Sequence, residues 1–119
     1  MDREKAQRQV AQEARGYVDE LAGMVGSNPR VLQDVLTNCV PGDKSSGKEL
    51  IYFVGVSTKT GAKARLLGEI RAEWESRGWT ARTGGATDLR LQKGSFSIGA
   101  EISPEDGRAS VGGGGGCVD

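Results

Sequence analysis

Histidine is absent from this 119-residue chain and cysteine occurs only twice. A zinc site usually draws four ligands from Cys and His, and a cysteine nucleophile normally works beside a base such as His. Neither set can be assembled within one chain, so no metal, no cofactor and no catalytic residue is assigned. Aromatic bulk is confined to Tyr17, Tyr52, Phe53, Trp74, Trp79 and Phe96, which makes for a thin core. Small domains bury a smaller share of their surface and gain more from a covalent staple. Charge of one sign is missing too: 16 basic residues face 16 acidic ones, with eight of each up to Thr60. Nucleic-acid binding needs clustered Lys and Arg, so neither DNA nor RNA is an expected partner, and an anionic membrane surface is disfavoured for the same reason. No apolar run approaches the ~20 residues that span a bilayer.

The opening MDREKAQRQVAQEARG lacks the apolar stretch of a signal peptide. The chain is therefore either cytosolic or has lost a signal. Leu36-Thr37-Asn38-Cys39 faintly matches a lipid-attachment box, but Asn38 is a poor residue before the cut and Asp34 interrupts the apolar run, so the match is one of chance. What remains for the cysteines is two buried free thiols or one disulfide, Cys39 to Cys117. The disulfide is the expected arrangement for two distant cysteines in an ordinary domain, and it implies an oxidising compartment.

The length fits one α+β domain over residues 1–119. Val10, Ala14, Tyr17, Leu21 and Met24 share one helical face, behind a polar first turn expected to fray over 1–5, and Gly26 to Pro29 end that helix. Residues 29–38 read two ways. Asn28 as cap with Pro29 at the first position gives a short helix burying Leu32, Leu36 and Val35, while the same residues alternate tolerably as a strand; the helix is the favoured reading. Residues 41–47 read as a polar loop. Glu49 to Ser57 is rich in β-branched and aromatic residues, a strand expected to be buried on both faces and therefore central. A helix over 62–77 presents Leu66, Leu67, Ile70 and Trp74; Gly78 suits the left-handed residue after it, and Trp79 can fold back on its last turn. A β-meander of three or four strands follows: 88–93, a turn at Lys93-Gly94, 95–102, a turn at 103–107, and a strand from Arg108 ending in the glycines 112–116. The expectation is helices packed on one face of a mostly antiparallel sheet.

Four features could carry chemistry, and each has a plainer account. Gly42 to Lys48 has the spacing of a phosphate-binding loop up to the lysine, but Glu49 stands where Ser or Thr should hold magnesium, and the segment opens a strand instead of a helix. A solvated loop explains it. The five glycines at 112–116 read as a flexible or weakly paired strand end; if extended, Ala109, Val111 and Cys117 share a face. Glu69 and Glu73 lie one turn apart among Arg65 and Arg77, which offer i,i+4 partners on a solvated helix face. Trp74 and Trp79 could form a binding platform, but the core needs their bulk.

The clearest alternation places Phe96, Ile98, Ala100 and Ile102 on one side of a strand and Ser95, Ser97, Gly99 and Glu101 on the other. The first set should face the helices. The second should line a flat outer face, either merely solvated or able to accept a partner without burying many charges.

The mid-chain Cys39, the strand Ile51 to Val56, Ile70-Arg71-Ala72-Glu73-Trp74 leading to Arg77-Gly78-Trp79, the turn Pro104-Glu105-Asp106-Gly107 and the closing Gly116-Cys117-Val118 together resemble small secreted proteins and lipoproteins of actinobacteria, including the LppA-like group. The resemblance covers about residues 37–118 and implies an extracellular or cell-envelope domain with a Cys39–Cys117 disulfide. No functional residues carry over from it, and no signal or lipid-attachment cysteine accompanies the pattern here. Two functions are expected from this reading: a non-catalytic envelope domain binding a protein partner or a small apolar ligand, or an enzyme with a carboxylate or serine site.

Overall fold

The computed structural model describes the backbone of residues 2–40, 43–59, 61–85, 87–103 and 107–115, and the side chains of these apart from residues 2–7, 38–40 and 43–48. The elements are helix α1 (Asp2–Val25), strands β1 (Ser27–Val40) and β2 (Asp43–Ser57), and a second helix, α2. That helix comprises Ala62–Arg65, a π-helical turn Leu66–Ile70 and Arg71–Ser76. Strands β3 (Thr80–Arg82), β4 (Asp88–Lys93), β5 (Phe96–Ser103) and β6 (Arg108–Gly115) follow. The six strands form one open antiparallel sheet in the order β1-β2-β6-β5-β4-β3. Both helices lie on one face of it, an α+β fold with a helix first and a meander last. None of the described helices is long and apolar enough to cross a membrane.

The helices pack because their apolar stripes meet that of the sheet. On α1 the buried set is Ala11, Ala14, Val18, Leu21, Ala22 and Val25. Its centre is turned slightly from the expected one, so that Tyr17 and Met24 lie at the margin of the core. From the sheet come Leu50, Tyr52, Val54 and Val56 of β2, Leu89 and Leu91 of β4, Ile98, Ala100 and Ile102 of β5, and Ala109 and Val111 of β6. From α2 come Leu66, Ile70 and Trp74, while Leu67 is half-buried. The scarce aromatics are concentrated at one junction. Tyr17 meets Trp79 and Phe96 edge-on, each with ring centroids 5.1 Å apart, and Trp74 meets Trp79 at 5.2 Å.

The end of α2 is as its sequence implies. Gly78 adopts φ 95°, its N–H donates to the Glu75 carbonyl, and the Trp79 N–H reaches back to the Trp74 carbonyl. This is a Schellman motif, with Trp79 folded onto the core. Lys93 donates to the Arg77 carbonyl at 2.9 Å, closing another of the free helix-end carbonyls.

Four expectations are corrected. Residues 29–38 are not a helix but part of β1, which pairs with β2 from Ser27↔Ser57 to Val40↔Asp43. Leu32, Val35 and Leu36 have helical spacing, yet the ladder offered by β2 outweighs it. Asn28 takes φ 54° and turns the chain into the strand instead of capping a helix, and Pro29 is tolerated because β1 is an edge. Secondly, residues 43–47 continue β2 and are not a loop. Thirdly, β2 is next to an edge and is buried on one face only: Phe53 is exposed and Ile51 half-buried on the other. Finally, glycines 112–115 are a paired part of the sheet: all four pair with β5, and Gly112 and Gly113 pair with β2 as well. A side chain would collide at each of them: with the Phe53 ring at Gly112, with the Ser97 carbonyl at Gly113, with the Leu50 carbonyl at Gly114 and with the Phe96 ring at Gly115.

Candidate helix-free sheet face

The sheet face away from the helices is built by strand alternation. Its middle row runs Gln33, Phe53, Gly112, Gly99 and Arg90 across β1, β2, β6, β5 and β4. The row on one side is Val35, Ile51, Ser97 and Gln92; on the other side are Gly55, Ser110, Glu101 and Asp88. Ser97 and Glu101 are exposed and Gly99 half-buried, while Ile98, Ala100 and Ile102 are buried beneath the helices. The expected two-sidedness of β5 therefore holds. The middle of this face is lined with glycine and serine, and apolar side chains gather toward β1.

A groove of about 980 Å³ opens at one end of the face. Its floor is small, with Gly55, Ser57 and Ser110 side by side on β2 and β6. One wall is the bent start of β1, where Pro29 and Leu32 supply apolar surface and Asn28 and Arg30 polar groups. The register shifts between Val31 and Gln33, and this irregularity swings Leu32 over Gly55, where a Cβ would meet Leu32 Cδ1 at 3.3 Å. The far wall carries Glu101, Ser103 and Arg108. A shallower hollow of about 420 Å³ continues past Phe53 toward Asp88 and Arg90.

Of the residues lining the groove only Glu101 is a carboxylate, and no lysine is among them. A serine nucleophile needs a base within hydrogen-bond reach, and among the described hydrogen bonds none joins Ser57, Ser103 or Ser110 to such a group. Asp88 is engaged with the loop before it, accepting from the backbone N–H groups of Gly84 (3.0 Å) and Gly85 (2.7 Å). Among the described residues no cluster of acidic, Cys and His side chains could hold a metal.

On the opposite side, polar contacts clamp the β1–β2 hairpin to α1. Arg15 holds Asp34 through Nη2 at 2.9 Å and Nε at 3.1 Å. Tyr52, opposite Asp34 in the ladder, donates its hydroxyl to Asp19 at 2.8 Å. Burial, the hydrogen bond to Asp19 and the nearby negative charge of Asp19 and Asp34 push the Tyr52 hydroxyl up from 10.0 to about 12, against a smaller opposing effect of Arg15.

The other sequence candidates separate from this face. Trp74 and Trp79 are core residues, so neither is a platform. Glu69 pairs with Arg65 at 3.0 Å and Glu73 with Arg77 at 2.9 Å, as their spacing implied. The stretch resembling a phosphate loop continues as strand from Asp43 into β2, without the helix N-terminus such a loop requires, and Gly42 lies outside the described residues. Cys117 and the side chain of Cys39 also lie outside them. Sequence reasoning missed the groove's main wall and floor, Leu32, Gly55 and Ser110. The available signal was the alternation Ile51, Phe53, Gly55 and Ser57, which passes from two large side chains to two small ones.

Comparison of the chain with protein-family models, with curated proteins and with solved structures returned no match.

Proposed function

We propose that this chain is a non-catalytic binding domain of the cell envelope, and that its ligand, a protein segment or a small apolar molecule, lies on the helix-free sheet face. The observation that carries the reading is the groove beneath Leu32. Its apolar wall stands over a floor of glycine and serine, an arrangement that offers contact surface with few charges to desolvate. The envelope setting belongs to the same reading and rests on the cysteine placement and the family resemblance.

The test is fluorescence titration with anilinonaphthalene sulfonate, an anionic dye whose apolar rings are small enough for the groove. The native protein should enhance its emission, and Ser110→Trp, which fills the floor from an exposed position, should abolish the response without altering the circular dichroism. An absent response, or one indifferent to Ser110→Trp, refutes the assignment of the groove.

A further inference from the structure

The groove under Leu32 is not apolar throughout. Two arginines line it, Arg30 of β1 and Arg108 of β6, against the single carboxylate of Glu101. The ladder fixes where they stand. Arg30 is the partner of Gly55, while Arg108 lies between Ser57 and Ser103, so both belong to the helix-free side. Both are exposed. Their Cα atoms are two strand spacings apart across the sheet and two residues apart along it, about 12 Å in all. Only Gly55, Ser57 and Ser110 lie between them, and two arginine side chains can meet over so low a floor. Among the described residues neither forms an ion pair, although Glu101 stands diagonally across from Arg108; Arg15, Arg65 and Arg77 each do.

We infer that the groove takes a small amphiphile with one negative charge. Its hydrocarbon body lies against Pro29 and Leu32, and its anionic head is held between Arg30 and Arg108. The inference rests on the groove being the ligand site and names the class of ligand.

Charge and backbone both specify this occupant. Two arginines against one glutamate leave the lining one positive charge in surplus, which a monoanion neutralises. The guanidinium fork matches the paired oxygens of a carboxylate or sulfonate. Glu101 opposes any second negative charge. The floor belongs to β2 and β6, which are inner strands with a neighbour on either side. An extended peptide would find no open ladder there, and its own N–H and C=O groups would lose water without gaining partners. A hydrocarbon body has no such groups to satisfy.

Two dyes with the same rings test the inference. Anilinonaphthalene sulfonate carries the charge, and N-phenyl-1-naphthylamine is the same molecule without its sulfonate. At low ionic strength the native protein should bind the sulfonate at least about tenfold more tightly, the margin of one charge-assisted hydrogen bond. Arg30→Gln combined with Arg108→Gln should erase that margin and leave the affinity for the neutral dye unchanged. Glu101→Gln should widen it. Dodecanoate below its micelle concentration should displace the sulfonate dye, whereas dodecyltrimethylammonium, with the same chain and the opposite charge, should not. Equal affinity for the two dyes, a margin that survives the double arginine variant, or equal displacement by the two amphiphiles overturns the inference. The groove itself then still stands if Ser110→Trp abolishes the response of the neutral dye. Failure of both dyes, or indifference of both to Ser110→Trp, removes the groove and this inference together.

Discussion

The ring of Phe53 lies across Gly112, its partner on β6, so closely that a Cβ on the glycine would stand 2.0 Å from Cδ1. The aromatic ring supplies the surface that the glycine lacks, and both residues line the hollow beside the groove. Gly112→Ala should therefore displace the ring and cost about 1–3 kcal/mol, as overpacking does. Gly114→Ala should cost more, because its Cβ would meet the Leu50 carbonyl oxygen, which cannot rotate away. Urea denaturation of both variants checks the order; equal or reversed costs would contradict the packing described.

The two faces of β5 should respond oppositely to substitution. Ile98 is buried and Ile98→Ala should destabilise by ~2–5 kcal/mol. Ser97 is exposed on the helix-free face and lies outside the groove, and Ser97→Arg should leave the unfolding midpoint within experimental error.

Tyr52 gives a pH dependence whose sign follows from its position. Its hydroxyl is held near 12 in the folded protein against 10.0 for an unperturbed tyrosine, so the folded state retains the proton more tightly than the unfolded state does. The associated stability is fully present below about pH 10 and is lost as pH rises toward about 12. Thermal melts across that interval should show the decline, and Tyr52→Phe should remove this component of it. At neutral pH the same variant should cost about 0.5–1.5 kcal/mol, the ordinary contribution of one hydrogen bond.

The cysteines make a fourth prediction. Since β2 lies between β1 and β6, the backbones of those two strands are about 9.6 Å apart. Bridged Cα atoms come within ~7 Å, a shorter span than the one between β1 and β6, and Cys117 lies outside the described residues. Formed, a Cys39–Cys117 disulfide would contribute on the order of 4 kcal/mol through the long loop it closes. Intact-mass measurement without reductant should show the loss of two hydrogens. Two thiols that alkylate freely in the native protein would remove both the bridge and the argument for an oxidising compartment.

Much of the architecture is readable where a residue's neighbours are close in sequence. The Gly78-Trp79 stop is a local device, and β5 declares its two faces through strict alternation over 96–102. The charged pairs on α2 follow from i,i+4 spacing. Reading fails where partners are remote. Leu32, Val35 and Leu36 carry a helical spacing, and only the presence of β2 alongside makes them a strand. The glycines of β6 look like slack until the flanking strands show that nothing larger fits. The groove is hidden for the same reason, since its wall and floor come from β1, β2 and β6 and meet only through the register.

The position of β6 has a consequence for how the molecule is made. It follows every other strand in the chain, yet it is third in the sheet and joins the β1–β2 hairpin to the β5-β4-β3 meander. Before β6 emerges from the ribosome, the sheet consists of two separate pieces with unpaired inner edges. Assembly must therefore wait for β6, and the interval of exposed edges ends only when the segment 108–115 has left the ribosome. Fragments stopping short of Arg108 should be bound by chaperones or degraded, because nothing in the remaining chain can join the two halves.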